Sequence, residues 1–355
     1  MSKKMIQTVL GEIPVENMGF VLPHEHVFCA VPFRWLDLDD CTSRLEMEWA
    51  TKRVTPDMQT WLRTHPFSNF DNLIRLEYQD SLEELQNFKN WGGCTVVDVT
   101  PNHGYMFKKD FRPDMQRIAK ATGLNIISCT GYMADDSGME HGEEKLTVDE
   151  LAQILIDEIR IGEPETGIKA GCIKAYLWDP KHPMCVKYLQ ACGIAQRETG
   201  VPIYVHPDLM HETNNIVLDV LEGVGCDLTK VVLCHCGPLL DHFDYQKALL
   251  DRGCYLEHDE CGSEIFDNSK EVLAHFPRDI DTIRLLKKYV EMGYEDQLLL
   301  SMDCCFKNHL EKYGGAGYAH LQKNYLPMMK LEGFTDEVLY KLTVENPRKL
   351  YTRKD

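Results

Sequence analysis

The sequence predicts a (β/α)₈ TIM barrel, an α/β fold, from three observations. First, short apolar runs rich in β-branched residues recur eight times, at residues 19–22, 95–99, 125–129, 170–174, 202–206, 231–235, 254–257 and 298–302. Second, segments with helical periodicity separate these runs, and strands that are apolar on both faces are typical of a parallel sheet covered by helices. Third, no G-x-G-x-x-G turn follows the first run, which disfavours an open doubly wound sheet.

Three segments lie outside the repeating pattern. Residues 6–14 are expected to form a hairpin before the barrel. Residues 31–72, rich in Trp, Pro and charge, are expected to form an elaborated first loop with short helices on the active-site face. The Asn-Pro pair at 346–347 is expected to cap and start a last helix. No linker or internal repeat divides the chain, so we expect one domain over residues 1–355, with the barrel from about 19 to 345.

Two capping signals mark helices between the strands. Thr147 and Glu150 form a capping box at the start of an amphipathic segment. Ser81 and Glu84 make a similar signal, and that helix is expected to stop at Gly92, immediately before the second strand.

The composition restricts the partners and the location. The chain has 38 basic and 56 acidic residues and a net charge of −18, which argues against binding to nucleic acid or a membrane surface and favours a small-molecule substrate. Neither a signal peptide nor a run of about 18 apolar residues is found, so no membrane span is expected. The 14 cysteines are scattered rather than arranged as a disulfide framework. We therefore expect reduced thiols and a cytoplasmic protein.

Six polar residues fall at the predicted carboxyl ends of the strands. They are His24, His26, Lys174, His206, His235 and Asp303. Taken singly, each has an ordinary explanation: the histidines could be hydrogen-bonded, Asp303 could cap a helix, and Lys174 could extend to solvent. In a barrel, however, all these ends surround one opening, where the chemistry of this fold takes place. Imidazoles and a carboxylate gathered there predict a site for a divalent metal such as Zn²⁺.

The same residues carry a family resemblance. The segments IQTVLG, HEH, GIKAGCIKA, VPIYVHP, VLCHC and VENPRKLY occur in this order over essentially the whole chain. The sequence resembles the phosphotriesterase-related family of the amidohydrolase superfamily, the branch that includes phosphotriesterase-like lactonases and the vertebrate phosphotriesterase-related proteins.

The resemblance implies a binuclear centre with two divalent ions, Zn²⁺ or alternatively Mn²⁺ or Co²⁺, bridged by a hydroxide. The more buried ion would be held by His24, His26 and Asp303, and the more exposed one by His206 and His235. Lys174 would bridge both ions as a carbamate, because burial favours the neutral amine that adds CO₂. Asp303 would be the catalytic residue that accepts a proton and passes it to the leaving group.

Substrate contacts are expected from the loops, where the sequence is least informative. Candidates are His258, Asp259, Arg278, Tyr132 and Trp178. A solvated loop pair would equally explain His258 and Asp259, and a surface salt bridge would explain Arg278.

The expected function is metal-dependent hydrolysis of a carboxylic ester, that of a lactonase, with a sugar lactone among the candidate substrates. The alternatives are hydrolysis of a small N-acyl compound or of a phosphotriester. A non-enzyme alternative is a catalytically dead barrel that acts as a binding module. The resemblance also suggests a homodimer.

Overall fold

The computed structural model describes residues 4–35, 43–103, 111–134, 145–266 and 275–353. These residues form twelve strands: β1 (Met5–Thr8), β2 (Gly11–Pro14), β3 (Val21–Glu25), β4 (Cys29–Ala30), β5 (Ile74–Arg75), β6 (Thr95–Asp98), β7 (Asn125–Ala134), β8 (Cys172–Leu177), β9 (Ile203–His206), β10 (Val231–Leu233), β11 (Tyr255–His258) and β12 (Leu298–Leu300). They also form twelve α-helices: α1 (Arg44–Thr51), α2 (Gln59–Thr64), α3 (Tyr78–Asn90), α4 (Phe111–Thr122), α5 (Val148–Arg160), α6 (Pro183–Thr199), α7 (Asn214–Gly223), α8 (Phe243–Leu250), α9 (Asp279–Glu291), α10 (Leu326–Leu331), α11 (Asp336–Tyr340) and α12 (Asn346–Tyr351).

Eight of the strands form a nearly closed parallel barrel, which confirms the predicted fold class. The order is β3, β6, β7, β8, β9, β10, β11, β12, and each strand pairs in parallel with the next. The seam between β12 and β3 is bridged just beyond the end of β12. There Ser301 Oγ accepts a hydrogen bond from His24 N at 3.0 Å, and Asp303 N donates to His24 O at 3.3 Å. The seam therefore joins two of the residues predicted to bind metal.

Side chains fill the barrel interior, and its amino-terminal end is closed. Tyr204, in the middle of β9, is fully buried, and its hydroxyl donates to the Tyr351 hydroxyl at 3.3 Å. Ile6 of the β1–β2 hairpin and Leu350 of α12 belong to the same buried cluster. The interior is therefore a packed core rather than a pore, and only the carboxyl-terminal end is left for a site.

A larger apolar cluster lies between the barrel and the surrounding helices. α5 shows why these segments are helical: Leu151, Leu155 and Ile159 recur on one face and are buried. The predicted capping box is confirmed, since Thr147 Oγ1 accepts from Glu150 N at 3.2 Å and Glu150 Oε2 accepts from Thr147 N at 2.7 Å.

Two predicted capping roles are wrong, although α12 does begin at Asn346 as predicted. α3 begins at Tyr78, so Ser81 lies inside the helix, and its hydroxyl donates to Val27 O at 2.6 Å. A helical turn at Lys341–Glu345 runs directly into α12, so Asn346 does not cap a helix start. Its amide donates to Glu295 O and Leu298 O, which ties α12 to the start of β12. In both cases the polar side chain donates to a distant backbone carbonyl instead of capping its own helix.

Two strands run further than predicted. β7 continues to Ala134 and β8 to Leu177, and the two pair in parallel register over six positions from Cys129 and Cys172 onward. Lys174 therefore lies in the middle of β8, not at its end. The longer β7 and β8 form one side wall of the carboxyl-terminal opening.

The hairpin and the first loop match the predictions where the structure describes them. β1 and β2 pair antiparallel, with Thr8 opposite Gly11. The first loop contains a short 3₁₀ turn at Pro32–Arg34 as well as α1 and α2, while residues 36–42 lie outside the described part. In the described ranges no helix has both the length and the apolar character needed to cross a membrane.

Candidate active site

All six residues predicted at the strand ends line one cavity at the carboxyl-terminal opening of the barrel. The cavity has a volume of about 120 Å³. His24 and His26 belong to β3 and the residue after it, Lys174 to β8 and His206 to β9. His235 and Asp303 follow β10 and β12 and have positive φ angles of 55° and 43°. Such backbone is strained for residues other than glycine, and it occurs here where a side chain must turn into the cavity.

One grouping of possible ligand atoms comes from the seam. His26 Nε2 lies 3.2 Å from Asp303 Oδ1, and His24 Nε2 lies 3.8 Å from the same oxygen. The ligand atoms of these three residues all lie within 4.8 Å of one another. Two imidazole nitrogens and a carboxylate oxygen at this separation could hold one divalent ion.

His235 and His206 extend the cluster on the other side of Asp303. Their ring centroids are 4.4 Å apart, and the His235 ring is 4.9 Å from that of His24. His235 Nδ1 lies 3.9 Å from Asp303 Oδ2, so the Asp303 carboxylate faces histidines on both sides. His206 and His235 therefore offer further imidazole nitrogens beside the first grouping.

Lys174 is buried beneath these histidines with only 2% of its surface exposed. Its Nζ lies 3.3 Å from His24 Nε2 and 3.7 Å from the Cys234 sulfur. Among the described residues, no carboxylate comes within ion-pair distance of Nζ, although a buried ammonium is stable only when it is paired.

Buried carboxylates orient two of the histidines. His24 Nδ1 lies 2.8 Å from both Glu257 Oε2 and Asp259 Oδ2, and His235 Nδ1 lies 2.9 Å from Asp259 Oδ1. An imidazole that donates its Nδ1 hydrogen to a carboxylate keeps a lone pair on Nε2 and is fixed in orientation, as is usual for histidines that bind metals. His26 Nδ1 is similarly within 2.6 Å of the Thr100 hydroxyl.

The two carboxylates have opposite protonation tendencies. Burial and the charge of Asp259 raise the pKa of Glu257 well above its usual value. Burial acts in the same direction on Asp259, but the neighbouring His235 and His24 outweigh it and hold the pKa of Asp259 well below its usual value. Asp259 is therefore the ionised group that anchors both rings.

His24 and His206 present neutral nitrogens to the cavity, and Asp303 presents an ionised carboxylate. Burial lowers the pKa of His24 to about 3 and that of His206 well below the ordinary value. Burial acts to raise the pKa of Asp303, but the hydrogen bond from His26 and the nearby imidazoles outweigh it and lower the pKa. Neutral imidazole and ionised carboxylate are the forms that bind divalent metals, so the donor set is suited to such ions.

Glu25, between the two histidines of the HEH motif, was missed in the sequence. It points to the opposite side of β3, is fully buried, and accepts hydrogen bonds from Ser301 Oγ, Met302 N and Cys304 N at 2.7, 2.8 and 3.0 Å. These contacts hold the backbone on both sides of Asp303. A charged residue within a buried strand was the available signal.

We expect Glu25→Gln to weaken metal binding about 10- to 100-fold and to lower the free energy of unfolding by about 1–3 kcal/mol. The reason is that an amide cannot accept from both backbone N–H groups that flank Asp303. Metal content by mass spectrometry and urea unfolding would measure the two effects. Glu84→Gln is the matched control, since Glu84 is also buried and accepts from a backbone N–H, that of Lys312, which does not flank a proposed metal ligand. Equal metal content in Glu25→Gln and the unmodified protein would contradict the expectation.

None of the five candidate substrate residues is among the described residues that line the cavity. Because β7 runs on to Ala134, Tyr132 lies within the strand and faces outward, where its hydroxyl donates to Leu151 O at 2.9 Å. Trp178 packs against His182 at 4.8 Å between ring centroids. Among the described residues, neither side chain lines this cavity.

The other three candidates also take different roles. Asp259 is fully buried and holds the histidines as described above, and His258 is 1% exposed at the end of β11. Arg278 precedes α9 with 69% of its side chain exposed and pairs with Asp281 at 2.8 Å. The surface salt bridge that the sequence offered as an alternative accounts for Arg278.

The remaining lining is mostly apolar. It is contributed largely by loops and includes Val31, Phe67, Met133, Leu209, Phe276 and Phe306. Phe67 and Phe306 meet edge to face at 5.7 Å within a small apolar cluster. Polar lining residues outside the predicted set include Arg34, Tyr176 and Glu260. Of these, the sequence indicated only Arg34 as a residue near the site, because it belongs to the elaborated first loop.

This TIM barrel carries a cluster of candidate metal-binding residues at its carboxyl-terminal opening. The chain belongs to the phosphotriesterase family, whose model matches residues 4–351. It is 33% identical to an N-acetyltaurine hydrolase of Rattus norvegicus, with 98% of each chain covered. It is also similar to the crystal structure of a resiniferatoxin-binding protein from Rhodobacter sphaeroides, with a TM-score of 0.89, 29% identity and coverage of 98% of this chain and 94% of that one. A lactonase from Listeria monocytogenes shares the fold, with a TM-score of 0.75, 23% identity and coverage of 99% and 100%.

Proposed function

We propose that this protein is a metal-dependent hydrolase that cleaves the amide bond of a small N-acyl compound. The observation that carries the proposal is the geometry of His24, His26 and Asp303, whose ligand atoms converge. Hydrogen bonds to Glu257 and Thr100 fix the rings of the two histidines. The catalysed reaction adds one water across the C–N bond and yields a carboxylate and an amine.

The residues support a metal pair. His24, His26 and Asp303 would hold one ion, and His206 and His235 the other, with Zn²⁺ as the first candidate and Mn²⁺ or Co²⁺ as alternatives. Such a pair, when bound, supplies Lewis-acid polarisation of a carbonyl oxygen and acidifies the attacking water. The Asp303 carboxylate lies near His26 of the first pair of histidines and near His235 of the second. It would take the proton from that water and deliver it to the leaving nitrogen.

Lys174 would be present as a carbamate. Its amine is buried next to His24 Nε2 and lacks a carboxylate partner among the described residues. Addition of CO₂ to the neutral amine releases one proton and gives an anionic group with two oxygens. That group would reach the ligand atoms of both histidine groups.

Two observations favour an amide over a lactone. The relative named for amide hydrolysis covers nearly the whole chain at 33% identity, whereas likeness to the lactonase, at 23%, supports the fold alone. In addition, the cavity is lined in part by Phe67, Phe276 and Phe306. Its phenylalanine-rich lining suits a short acyl group better than a polyhydroxylated sugar lactone. The lactonase expectation stays as the second candidate, on the strength of the shared fold and metal chemistry.

The thiols support a reducing compartment. All 13 cysteines in the described ranges are free. We therefore propose a cytoplasmic location. The homodimer stays a prediction.

A substrate panel tests the function. We expect protein loaded with Zn²⁺ or Mn²⁺ to hydrolyse N-acetyltaurine and N-acetyl amino acids faster than simple lactones, sugar lactones or a phosphotriester. Treatment with a chelator should lower the rate at least about 100-fold, because the carbonyl and the water lose their polarisation, and added metal should restore it.

Three results would contradict the proposal. Turnover of lactones without turnover of amides would favour the lactonase. Full activity after verified metal removal would exclude the metal-dependent mechanism. Less than about one metal per chain after purification without chelator, together with inactivity on the whole panel, would favour a binding module.

A further inference from the structure

Arg75 is a fully buried cation that the proposed mechanism does not use. It is the last residue of β5 in the first loop and lies opposite Cys29 of β4 in an antiparallel pair. Burying an ionised guanidinium is unfavourable unless its charge or its N–H groups find partners. Among the described residues, no carboxylate lies within ion-pair distance of Arg75. Its partners are backbone carbonyls instead.

The guanidinium donates to two separate segments of the chain. Nη1 donates to Val27 O at 3.2 Å, and Nη2 donates both to His26 O and, at 2.7 Å, to Cys304 O. The first two carbonyls directly follow β3, whereas Cys304 follows β12 on the other side of the barrel seam. His26 is a proposed metal ligand, and Cys304 is the neighbour of Asp303, another such ligand. One side chain therefore joins the backbone at two proposed ligands.

Other buried groups hold the same backbone. The Tyr318 hydroxyl also donates to His26 O, at 2.6 Å, and the Tyr318 ring centre lies 5.9 Å from the guanidinium carbon. From the other direction, Glu25 accepts from Cys304 N at 3.0 Å. The carbonyl of His26 therefore has two donors, and the backbone of Cys304 is held at both its N–H and its C=O.

A second buried arginine has a different set of partners. Arg112, near the start of α4, is 6% exposed, donates to Cys129 O and forms an ion pair with Glu163 at 2.9 Å. A carboxylate compensates that cation, and neither partner is a proposed metal ligand or its neighbour. Arg75 lacks such a carboxylate, and its acceptors lie in the segments that carry two proposed ligands.

We propose that Arg75 is a positioning residue, whose guanidinium fixes the backbone at His26 and next to Asp303 and so keeps His26 Nε2 and Asp303 Oδ1 close together, at 3.2 Å. This inference rests on the proposed metal-dependent function and adds to it a residue of the first loop. The planar guanidinium reaches three carbonyls from two nitrogens in a fixed arrangement. The single nitrogen of a lysine, on a flexible stem, cannot hold all three in the same way.

Metal affinity measures this role without any substrate. We expect Arg75→Met to raise the dissociation constant for Zn²⁺, measured by competition with a chelating dye, about 10- to 100-fold, because partners that orient metal ligands have effects of this size. Arg75→Lys keeps the charge but loses the planar fork, so we expect its affinity to be closer to that of Arg75→Met than to that of the unmodified protein.

Arg112→Met is the matched control, because it also removes a buried arginine from a backbone carbonyl. We expect this variant to lose stability in urea unfolding and to keep its Zn²⁺ affinity within about threefold, since its partners lie away from the proposed ligands.

Co²⁺ gives a second measurement, which a role in stability alone would not change. When Co²⁺ replaces Zn²⁺, its visible absorption spectrum reports the geometry of its ligands. We expect the absorption bands to shift in Arg75→Met and Arg75→Lys and to stay unchanged in Arg112→Met.

The outcomes separate this inference from the proposed function. If no amide is hydrolysed but both Arg75 variants bind Zn²⁺ more weakly than Arg112→Met, the amide function fails and the role of Arg75 stands. If amides are hydrolysed and Arg75→Lys binds Zn²⁺ as the unmodified protein does, the positioning role is overturned. An equal loss of affinity in Arg112→Met, or failure of both Arg75 variants to fold, would overturn it as well, because Arg75 would then serve general stability. If the unmodified protein binds no divalent metal, both proposals fail.

Discussion

Replacing Asp303 with asparagine is expected to lower kcat/KM by about 100- to 10,000-fold while the protein stays folded. The Asp303 carboxylate lies 3.2 Å from His26 Nε2 and 3.9 Å from His235 Nδ1, so it faces both groups of histidines. Asparagine keeps the shape but loses the charge and one acceptor oxygen. A smaller part of the loss should come from weaker metal binding, because one anionic ligand is removed.

Steady-state kinetics, metal content and urea unfolding should be measured on the same preparation of Asp303→Asn. Asp279→Asn is the control, since Asp279 is also largely buried and lies 2.7 Å from His320, but it does not line the cavity. The control is expected to lose stability and to keep its activity within a few-fold. Asp303→Asn with more than half of the original kcat/KM would remove Asp303 from the proposed mechanism.

Replacing Lys174 with alanine is expected to reduce the bound metal from the two proposed ions towards one and to lower activity at least about 100-fold. The buried Nζ lies 3.3 Å from His24 Nε2, and a carbamate formed there would offer two oxygen ligands. Lys174→Glu offers a carboxylate in place of the carbamate. It should therefore recover the second ion and part of the activity.

Lys174→Met is the matched control for packing. Methionine fills a similar volume inside the barrel but cannot add CO₂ or bind a divalent ion as an anion. If the lysine only fills space, Lys174→Met should keep both ions and the activity. If the carbamate bridges the ions, Lys174→Met should resemble Lys174→Ala, and native mass spectrometry of the unmodified protein should show one additional CO₂. Full activity of Lys174→Met would exclude the bridge.

The sequence was most informative where local patterns determine position. Strand periodicity and the HxH spacing placed His24 and His26 on one side of β3, and both do line the cavity. The positions of His206 and Asp303 at or just after strand ends followed from the barrel fold, because the carboxyl ends of all eight strands meet. The sequence could also locate the first loop near the opening, although it did not single out Arg34.

The sequence was less informative where a residue's role depends on a distant partner. Glu25 and Ser301 are 276 positions apart, and their hydrogen bond exists only because β12 returns beside β3. Asp259 was predicted to contact substrate, yet it holds His24 and His235, which come from two other parts of the barrel. Neither contact can be predicted from the spacing of nearby residues in the sequence.

The sequence by itself determined the barrel, the region of the site and the types of residue that could bind metal, because these follow from local periodicity and from the rule that parallel strands share one catalytic end. Only the tertiary structure decided which buried acids orient the histidines, which side chains form the cavity and where its positive charge lies. Those features depend on strand length and on the register at which the barrel closes. β7 runs on to Ala134, beyond its predicted end at residue 129. Tyr132 therefore lies within the strand and on the outer face of the barrel, not at the expected site.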